Sequence, residues 1–402
     1  MSQARRLSII GSTGSIGQSA LSVIEHANAQ ADDPVFVIDT LVAGQNTQRL
    51  AAQALAFKAE RAVIADEAGL GELEARLAGS GIETAAGEAA ILEAAQRPVD
   101  RVLAAVVGIA GLPSTLAAVQ AGNSIALANK ESMVCAGPLL RREAAAAGID
   151  IVPTDSEHNA MFQVMERRED VTKLMLTASG GPFRNMPLSG LAKVTPKEAL
   201  AHPKWDMGNK ISIDSASLFN KGLELIEAAY LFDMPEDQID VVVHPQSIIH
   251  SLVAYRDGSV LAQMGVPDMR TPIAYALTWP ERRQPTPVAP LDLVALAKLD
   301  FEALDRKRFP AVDLCRAALR HGGGAPTVLN CANEVAVAAF LGGRCAFTDI
   351  SRLVDGVLDR FVGGPMSNQA CDHLEAILAI ELEARAITGK MLVDASFRRE
   401  GV

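Results

Sequence analysis

The stretch that decides the fold is Gly11-Ser12-Thr13-Gly14-Ser15-Ile16-Gly17. It follows an apolar run at Leu7–Ile10 and opens a segment with helical periodicity. This order places backbone N–H groups and the positive end of a helix where a dinucleotide pyrophosphate binds. The spacing G-x-x-G-x-x-G is a variant of G-x-G-x-x-G and indicates an NADP-dependent fold. The alternative is a glycine turn in an α/β domain that binds no ligand.

Outward from this stretch, the first 150 residues alternate short β-rich runs with Ala-rich helical patterns. Such alternation is typical of βαβ units and predicts a Rossmann-like, doubly wound parallel sheet over residues 1–150. The predicted strands are 7–10, 35–42, 62–65, 101–107, 124–128 and 150–152, and the predicted helices lie near 15–28, 46–57, 87–96, 111–121 and 131–147.

The pattern changes after residue 150. A strand at 171–177 and a hairpin of strands 249–255 and 259–264 around Asp257-Gly258 predict a central α+β catalytic domain over residues 151–280. Prolines space residues 281–310, which we interpret as an extended linker. Helical patterns then predict a small C-terminal domain over residues 311–402, with helices at 311–320, 326–341, 350–361 and 369–388.

Composition excludes several classes of partner. The chain has 402 residues, a net charge of −11 and no basic cluster, so neither nucleic acid nor an anionic membrane is an expected partner. Its five cysteines are scattered and form no CxxC pair, which indicates a reducing compartment rather than disulfides or zinc. With no targeting signal visible, we expect a cytoplasmic protein.

A second informative stretch is Asp214-Ser215-Ala216-Ser217-Leu218-Phe219-Asn220-Lys221-Gly222-Leu223-Glu224. Asp214 and Ser215 are residue types that cap helices, so we predict a helix from there to about Phe232. On this helix Asn220, Lys221 and Glu224 share one face, and such a group suits an anion beside a cation. A capped surface helix with a Lys–Glu pair is the alternative.

Carboxylates also cluster after the last strand of the first domain. In an extended Asp155-Ser156-Glu157 segment, positions 155 and 157 point to the same side and repel unless a cation lies between them. With Glu224 they give three hard oxygen ligands, as expected for Mg²⁺ or Mn²⁺. The alternative has Asp155 capping the next helix, with Glu157 in its first turn.

Further segments bear on cofactor and substrate. The second strand ends in Gly44-Gln45-Asn46, without the acid that usually holds an adenosine ribose, which favours NADPH over NADH.

Asn129-Lys130-Glu131 follows the strand at 124–128, where Lys130 can donate to a substrate oxygen or simply begin a helix. Trp205 lies in a Pro/Gly-punctuated loop and is either a lid or a residue packed under that loop. We interpret His244 and His250 as turn and sheet residues rather than metal ligands.

Together these segments closely resemble the 1-deoxy-D-xylulose-5-phosphate reductoisomerase family. The motifs that carry the resemblance span Gly11 to about Asp349 and are GSTGSIG, ALANKES, PTDSEHNA, ASGGPF, HPKWDMGNKISIDSASLFNKGLE, HPQSIIHS and VPDMRTPIAYAL. The resemblance implies NADPH-dependent and metal-dependent conversion of 1-deoxy-D-xylulose 5-phosphate to 2-C-methyl-D-erythritol 4-phosphate, a step towards isoprenoid precursors. It also implies a homodimer and Mg²⁺ or Mn²⁺, with Co²⁺ as a further metal.

The resemblance assigns residues to each part of the site. NADPH falls on Thr13, Gly14, Ser15, Ile16, Gly44, Gln45, Asn46, Asn129, Glu131 and Gly208. The metal falls on Asp155, Glu157 and Glu224, and the catalytic groups are Lys130 and Glu157. The substrate falls on Lys130, Ser156, Glu157, Ser179, His202, Ser215, Asn220, Lys221 and Glu224. Two positions depart from the family pattern, since Gln45 and Asn209 stand where a basic residue is frequent.

The residues also support a chemical hypothesis. A metal on the three carboxylates would act as a Lewis acid while a carbon–carbon bond breaks and re-forms in a new position, and Lys130 and Glu157 would assist proton movement. NADPH would then deliver hydride. Two rivals remain: an NADP-dependent sugar-phosphate oxidoreductase without rearrangement, and a non-catalytic nucleotide sensor.

Overall fold

The structure is a computed structural model, and it describes residues 4–201, 208–281, 284–364, 367 and 371–393. Contacts divide the chain into two compact units. The first consists of residues 1–132, 140–162 and 268–290, and the second of residues 133–139, 163–267 and 291–402. The units interleave along the chain, and the boundaries at 150, 280 and 310 stay a prediction about domains.

The secondary structure follows the chain in this order. The strands are β1 Arg5–Ile10, β2 Phe36–Ala43, β3 Arg61–Ile64, β4 Glu83–Ala86, β5 Arg101–Ala104, β6 Ile125–Leu127, β7 Ile151–Pro153, β8 Val171–Ala178, β9 Ile239–Val243, β10 Ile249–Tyr255, β11 Val260–Met264 and β12 Glu302–Ala303. The helices are α1 Ser15–Ala29, α2 Thr47–Phe57, α3 Leu70–Leu77, α4 Glu88–Gln96, α5 Leu112–Gln120, α6 Lys130–Ala147, α7 Ser156–Val164, α8 Pro196–Leu200, α9 Asn209–Ser217, α10 Phe219–Leu231, α11 Arg270–Thr278, α12 Leu293–Leu296, α13 Ala311–His321, α14 Ala325–Leu341, α15 Asp349–Val362 and α16 Leu374–Val393.

The first unit is built on a parallel sheet with the strand order β4-β3-β2-β1-β5-β6-β7. This confirms the doubly wound parallel sheet predicted from the alternating pattern. The strand order reverses between β1 and β5, and open α/β sheets bind ligands at the carboxyl ends of the strands on either side of such a reversal. The loops after β1, β2, β6 and β7 therefore end at the ligand-binding edge.

Two arginines attach α11 to this sheet. Arg5, which begins β1, donates to the carbonyl oxygens of Leu277 and Trp279 at 2.7 and 2.9 Å. Arg101, which begins β5, donates to those of Ala276 and Trp279 at 2.9 and 3.2 Å. These bonds satisfy carbonyls at the end of α11 that lack helical partners. Burial lowers the pKa of Arg101 to about 10, so it remains charged at neutral pH.

A buried carboxylate, Asp39 on β2, joins three parts of the first unit. It is 1% exposed and accepts hydrogen bonds from Arg97, which follows α4, from Arg6 on β1 and from Thr40. Burial by itself raises the pKa of Asp39, but the hydrogen bonds from Arg97 and Thr40 and the positive charge of Arg97 outweigh it. The pKa of Asp39 therefore lies below its usual range.

We expect Asp39→Asn to lower the stability of the first unit by about 2 kcal/mol, since charged hydrogen bonds are lost. The melting temperature should fall by roughly 4–8 °C in thermal unfolding followed by circular dichroism. Glu72→Gln is the control, because the Glu72–Arg76 pair is exposed and should shift stability by less than about 0.5 kcal/mol.

The pH dependence of this effect has a defined sign. Because folding depresses the pKa of Asp39, its contribution is complete above the unfolded pKa of about 3.9 and disappears as pH falls through the folded pKa. The difference between wild type and Asp39→Asn should therefore be constant above about pH 5 and shrink in more acidic buffer. A difference that grows on acidification would contradict the assignment.

The second unit contains a sheet with the order β11-β10-β8-β9-β12. β10 pairs antiparallel with β8 and with β11, so the predicted hairpin is confirmed. Its turn has three residues rather than two, because the Tyr255 N–H donates to the Ser259 carbonyl and Gly258 adopts φ +88°. The segment interpreted as an extended linker contains α12, and also β12, which pairs with β9.

The C-terminal helices of the second unit confirm the predicted helical region. Helix α10 packs closely on α13, since a β-carbon at Gly222 would lie 2.9 Å from the β-carbon of Cys315. The last predicted helix begins at Leu374 rather than residue 369. Within the described part of the chain, none of the helices combines the length and the apolar content needed to cross a membrane.

The prediction of a single helix from Asp214 to Phe232 is wrong. Two helices occupy this stretch, α9 and α10, and Leu218 separates them with left-handed dihedral angles of φ 60° and ψ 16°. Asp214 and Ser215 therefore lie in the last turn of α9 and do not cap α10. The periodicity could not show this break, because Leu218 is buried like its neighbours and is not a residue type that usually leaves the helical conformation.

Candidate active site

The glycine turn after β1 has the geometry expected of a phosphate loop. Gly11 has φ +106°, and a β-carbon there would lie 2.6 Å from the Ala105 carbonyl oxygen of the neighbouring strand end. A β-carbon at Gly17 would overlap the backbone of Gly11 and Ser12. Gly14 is the N-cap of α1 and provides no side-chain cap. The turn thus presents backbone at the start of a long helix, which suits a pyrophosphate.

A cavity of about 700 Å³ lies at the carboxyl ends of β2 and β3 and is lined by Gly44, Gln45, Ala65 and Asp66. Gly44 and Gln45 were assigned to the cofactor from the sequence, whereas Asp66 was not. Its position directly after β3, at the carboxyl end of the sheet, is the signal that could have identified it. Asn46 caps α2, its side chain accepting the N–H of Arg49 at 3.0 Å.

Asn129 fixes the start of α6 after β6. Its side-chain oxygen accepts the N–H of Ser132, and its amide donates to the carbonyl oxygen of Gly108 at 2.9 Å. The same amide lies 3.2 Å from Oε2 of Glu131, which is 6% exposed. Asn129 and Glu131 are therefore held rigidly beside the loop that follows β5.

Lys130 and Asp155 form the ion pair of the candidate site in the first unit. Nζ of Lys130 lies 2.5 Å from Oδ2 of Asp155, and the two side chains are 8% and 11% exposed. Nδ1 of His158 lies 3.4 Å from the other oxygen, Oδ1. The Lys130 ammonium thus orients the Asp155 carboxylate, and the His158 imidazole lies beside it. Sequence reasoning did not connect these residues, although His158 is three residues from Asp155 and so on the same helical face.

Helix α7 begins at Ser156, so the segment from Asp155 to Glu157 is not extended as one interpretation had it. The Glu157 N–H donates to Oδ1 of Asp155 at 3.3 Å, as the capping alternative expected. The Ser156 hydroxyl donates to Oε2 of Glu157 at 2.6 Å. Both carboxylates remain at the carboxyl end of β7, Asp155 before the helix and Glu157 in its first turn.

The second unit carries a buried carboxylate with two donors. Glu224 on α10 is 1% exposed, and its oxygens accept hydrogen bonds from the Asn220 amide and the Lys221 ammonium. Lys221 is itself 4% exposed. The shared helical face predicted for these three side chains is therefore confirmed, and the buried pair is unlike the exposed surface pair that was its alternative.

Two serines of the second unit lie on adjoining segments. Ser179 begins the loop after β8, and its hydroxyl accepts the N–H of Gly181 at 3.2 Å. Ser215 lies in the last turn of α9, and its carbonyl accepts the N–H of Leu218. Both serines are partly exposed, unlike Gly181 and Leu218.

The two histidines after β9 have the contacts of structural residues. The Nδ1 atom of His244 donates to the Asp300 carbonyl at 2.8 Å, and Nε2 accepts the N–H of Ile248. The pKa of His250 is lowered to about 4, mainly because the ring is buried. A hydrogen bond at the Gly265 backbone opposes this shift, and the positive charge of Lys221 adds to it. His250 is therefore neutral at physiological pH.

The predicted site residues divide between the units. The first holds the glycine turn, the β2 tip, Asn129 and Glu131, and the group of Lys130, Asp155, Ser156 and Glu157. The second holds Ser179, Gly208, Ser215, Asn220, Lys221 and Glu224. Gly208 is the N-cap of α9. His202 and Trp205 lie outside the described residues, so the predicted lid stays a prediction.

Three family profiles match the chain in succession. "1-Deoxy-D-xylulose 5-phosphate reductoisomerase" matches residues 7–137, and the C-terminal domain of the same enzyme matches residues 151–232. "DXP reductoisomerase C-terminal domain" matches residues 264–387. Together the matches cover most of both units.

Known relatives agree with these profiles. A 1-deoxy-D-xylulose 5-phosphate reductoisomerase of Caulobacter vibrioides is 52% identical and covers 98% of each chain. The solved structure of the Zymomonas mobilis enzyme in complex with NADPH is 45% identical, with a TM-score of 0.90 over 98% of this chain and 100% of that one. A complex of DOX-P reductoisomerase with NADPH, fosmidomycin and magnesium is 42% identical, with a TM-score of 0.91 over 96% and 98%. The chain therefore belongs to the 1-deoxy-D-xylulose 5-phosphate reductoisomerase family.

Proposed function

We propose that the chain is an NADP-dependent oxidoreductase that converts 1-deoxy-D-xylulose 5-phosphate to 2-C-methyl-D-erythritol 4-phosphate, with NADPH as reductant and Mg²⁺ as the metal. The observation that carries the proposal is the carboxyl edge of the first sheet. A phosphate-type glycine turn follows β1 there, and the buried Lys130–Asp155 pair follows β6 and β7. One edge thus offers a dinucleotide site and a buried lysine–carboxylate pair, which suit hydride transfer and proton transfer respectively.

The chain fits NADPH at the glycine turn, because Gly11 and Gly17 leave no room for side chains and Gly14 opens the helix without a side-chain cap. Its remaining contacts are proposed from the family resemblance. The residues that would hold NADPH are Thr13, Gly14, Ser15, Ile16, Gly44, Gln45, Asn46, Asn129, Glu131 and Gly208. When bound, NADPH supplies the hydride.

The donor set fits a hard divalent cation, since each proposed ligand is a carboxylate. Asp155 and Glu157 of the first unit and Glu224 of the second are the proposed ligands, and Mg²⁺, Mn²⁺ or Co²⁺ are the proposed ions. When bound, the ion supplies Lewis-acid stabilisation of negative charge on substrate oxygens. The hydrogen bonds of Asn220 and Lys221 to Glu224 hold that carboxylate in one orientation.

Lys130 and Glu157 are the proposed acid–base groups. Lys130 is nearly buried and paired with Asp155, so its ammonium is held in one place, ready to donate a proton to a substrate oxygen. Glu157 has its carboxylate oriented by the Ser156 hydroxyl and can accept a proton. Both groups follow strands of a rigid sheet, which keeps their positions defined during the reaction.

The remaining residues bind and orient the substrate. A phosphate distant from the reacting carbons supplies binding energy that orients the molecule. Lys221 and Asn220 in the first turn of α10, together with hydroxyl groups, suit such an anion. The proposed substrate contacts are Lys130, Ser156, Glu157, Ser179, His202, Ser215, Asn220, Lys221 and Glu224.

We expect Lys221→Ala to raise the KM for 1-deoxy-D-xylulose 5-phosphate by about 10–100-fold, since one charge-assisted hydrogen bond to phosphate is lost. Turnover at saturation should fall less than KM rises. Steady-state kinetics followed through NADPH absorbance measures both. Lys298→Ala is the control, because Lys298 is 78% exposed and should leave both constants near wild type. An unchanged KM in Lys221→Ala would remove Lys221 from the phosphate site.

Product analysis tests the proposed function against its rivals. The purified chain is incubated with NADPH, Mg²⁺ and 1-deoxy-D-xylulose 5-phosphate, and the product is identified by NMR. A branched-chain polyol phosphate supports the proposal. A linear polyol phosphate supports a sugar-phosphate oxidoreductase without rearrangement, and no NADPH consumption supports a nucleotide sensor.

We also infer a homodimer and a cytoplasmic location. Among the residues that the structure describes, β11 is an edge strand of its sheet, and Val260 and Leu261 on it are 49% and 38% exposed. The backbone of an edge strand can pair with a second chain. All five cysteines are free, as in a reducing compartment. A solution mass of two chains by light scattering would support the dimer, and a mass of one chain would contradict it.

A further inference from the structure

The loop after β8 contains two glycines in conformations that other residues rarely adopt. Gly180 has φ +82° and Gly181 has φ +66°. The N–H of Gly181 donates to the hydroxyl of Ser179 at 3.2 Å, so the backbone of Gly181 helps to orient the Ser179 side chain. The position of Gly181 therefore contributes to where the Ser179 hydroxyl is held.

Gly181 also lies directly against the last turn of α9. A β-carbon at this position would lie 2.9 Å from the carbonyl oxygen of Ser215 and 3.2 Å from Cα of Ala216. Both are backbone atoms, which cannot rotate away as the end of a side chain can. The loop that contains Ser179 can therefore approach the turn at Ser215 this closely only because residue 181 has no side chain.

A displacement of Ser215 would also move the start of α10. Its carbonyl accepts the N–H of Leu218 at 3.3 Å, and Leu218 is the left-handed residue that separates α9 from α10. Asn220 and Lys221 follow immediately, in the first turn of α10. The contact at Gly181 therefore joins both serines to the start of the helix that carries Lys221.

We propose that Gly181 is a positioning residue for the substrate phosphate: its contact with Ser215 sets the separation of the Ser179 and Ser215 hydroxyls and their place relative to Lys221. This inference rests on the phosphate-binding roles proposed above for these residues. It predicts that a single methyl group at position 181 weakens phosphate binding more than it affects the chemical step.

The neighbouring glycine provides a matched control. Gly180 also has a positive φ, so Gly180→Ala carries a similar backbone strain. A β-carbon at Gly180 would meet Cδ of Arg184 at 2.7 Å, a flexible side chain that can move, and Cγ1 of Val243 at 3.1 Å. Gly181→Ala differs from Gly180→Ala mainly in its collision with the backbone of α9.

The test compares Gly181→Ala, Gly180→Ala and Ser179→Ala with the wild-type full chain in the presence of NADPH and Mg²⁺. The readouts are kcat, the KM for 1-deoxy-D-xylulose 5-phosphate, the inhibition constant of inorganic phosphate as a competing anion, and NADPH affinity by fluorescence. We expect Gly181→Ala to raise KM and the phosphate inhibition constant by about 10-fold or more, with kcat changed less and NADPH affinity unchanged. Gly180→Ala should change these constants less than about 3-fold.

Equal changes in the two glycine variants, or a loss of kcat at unchanged KM in Gly181→Ala, would overturn the inference. If Ser179→Ala also leaves KM and the phosphate constant unchanged, the failure lies in the serine assignment itself. A wild-type chain that forms no branched product would instead overturn the proposed function. Should Gly181→Ala not fold, Gly181→Asn takes its place, because asparagine tolerates the left-handed conformation while still carrying a β-carbon.

Discussion

Replacing Glu224 by glutamine is expected to lower turnover by about 10²-fold or more while NADPH binding persists. The structure supplies the reason. Glu224 is 1% exposed and is oriented by Asn220 and Lys221, so the carboxylate is fixed before any ion arrives. Glutamine has nearly the same shape but brings no negative charge to a cation and removes the carboxylate that pairs with the Lys221 ammonium. The affinity for Mn²⁺, measured by electron paramagnetic resonance, should fall together with turnover.

Glu236→Gln is the control for Glu224→Gln. Glu236 belongs to the same unit and is also ion-paired, with Arg316 and Arg320, but it has no proposed role in metal binding. This variant should retain Mn²⁺ affinity and turnover near wild type even if it is slightly less stable. Activity of Glu224→Gln near wild type at saturating Mg²⁺ would remove Glu224 from the metal site.

Most of the first unit could be predicted from sequence because its strands and helices alternate in strongly periodic runs. The elements that were not predicted include α3, β4 and α11. The strand β4, Glu83–Ala86, contains only two alanines, a threonine and a glutamate, none of which gives an apolar strand signal. It forms because β3 offers it a parallel partner along its whole length. A strand that depends on its partner in this way cannot be predicted from the local sequence pattern.

Predictions from the local sequence pattern were also wrong where tertiary contacts override the local preference of a residue, as at the predicted helix start at Asp214. Asp214 is a good capping residue, yet it lies inside α9, where its carboxylate pairs with Lys210 and accepts the amide of Asn333 from α14. Asn333 is more than a hundred residues away, so the capping signal carried no information about this partner. The break at Leu218 is likewise set by packing, since leucine has no intrinsic preference for that conformation.

The candidate site was predictable in its residue types but not in its pairings. Lys130 and Asp155 each follow a strand end, and adjacent parallel strands bring their carboxyl ends together. Their ion pair depends on the register of β6 on β7, which a single sequence does not give. The motif resemblance predicted a role for both residues, whereas their pairing and burial are visible only in the structure.

The largest expected loss comes from Lys130→Met, which should lower kcat by about 10²–10⁴-fold at unchanged NADPH affinity. Methionine keeps most of the length and apolar stem of lysine but removes the ammonium. Lys130 is the only proposed catalytic group that carries positive charge, and its side chain is just 8% exposed, so bulk water replaces it poorly as a proton donor. Single-turnover kinetics followed through NADPH absorbance should place the loss in the chemical step.

Lys173→Met provides the matched comparison for Lys130→Met. Lys173 pairs with Asp240 at 2.7 Å as Lys130 pairs with Asp155, but these side chains are 43% and 49% exposed. Because an exposed ion pair contributes about 1 kcal/mol or less, this variant should keep kcat near wild type. If both lysine variants lost activity equally, the effect of Lys130 would be one of general stability. If Lys130→Met kept wild-type kcat, proton transfer would have to come from another group, and the burial of the Lys130–Asp155 pair would serve only to orient Asp155.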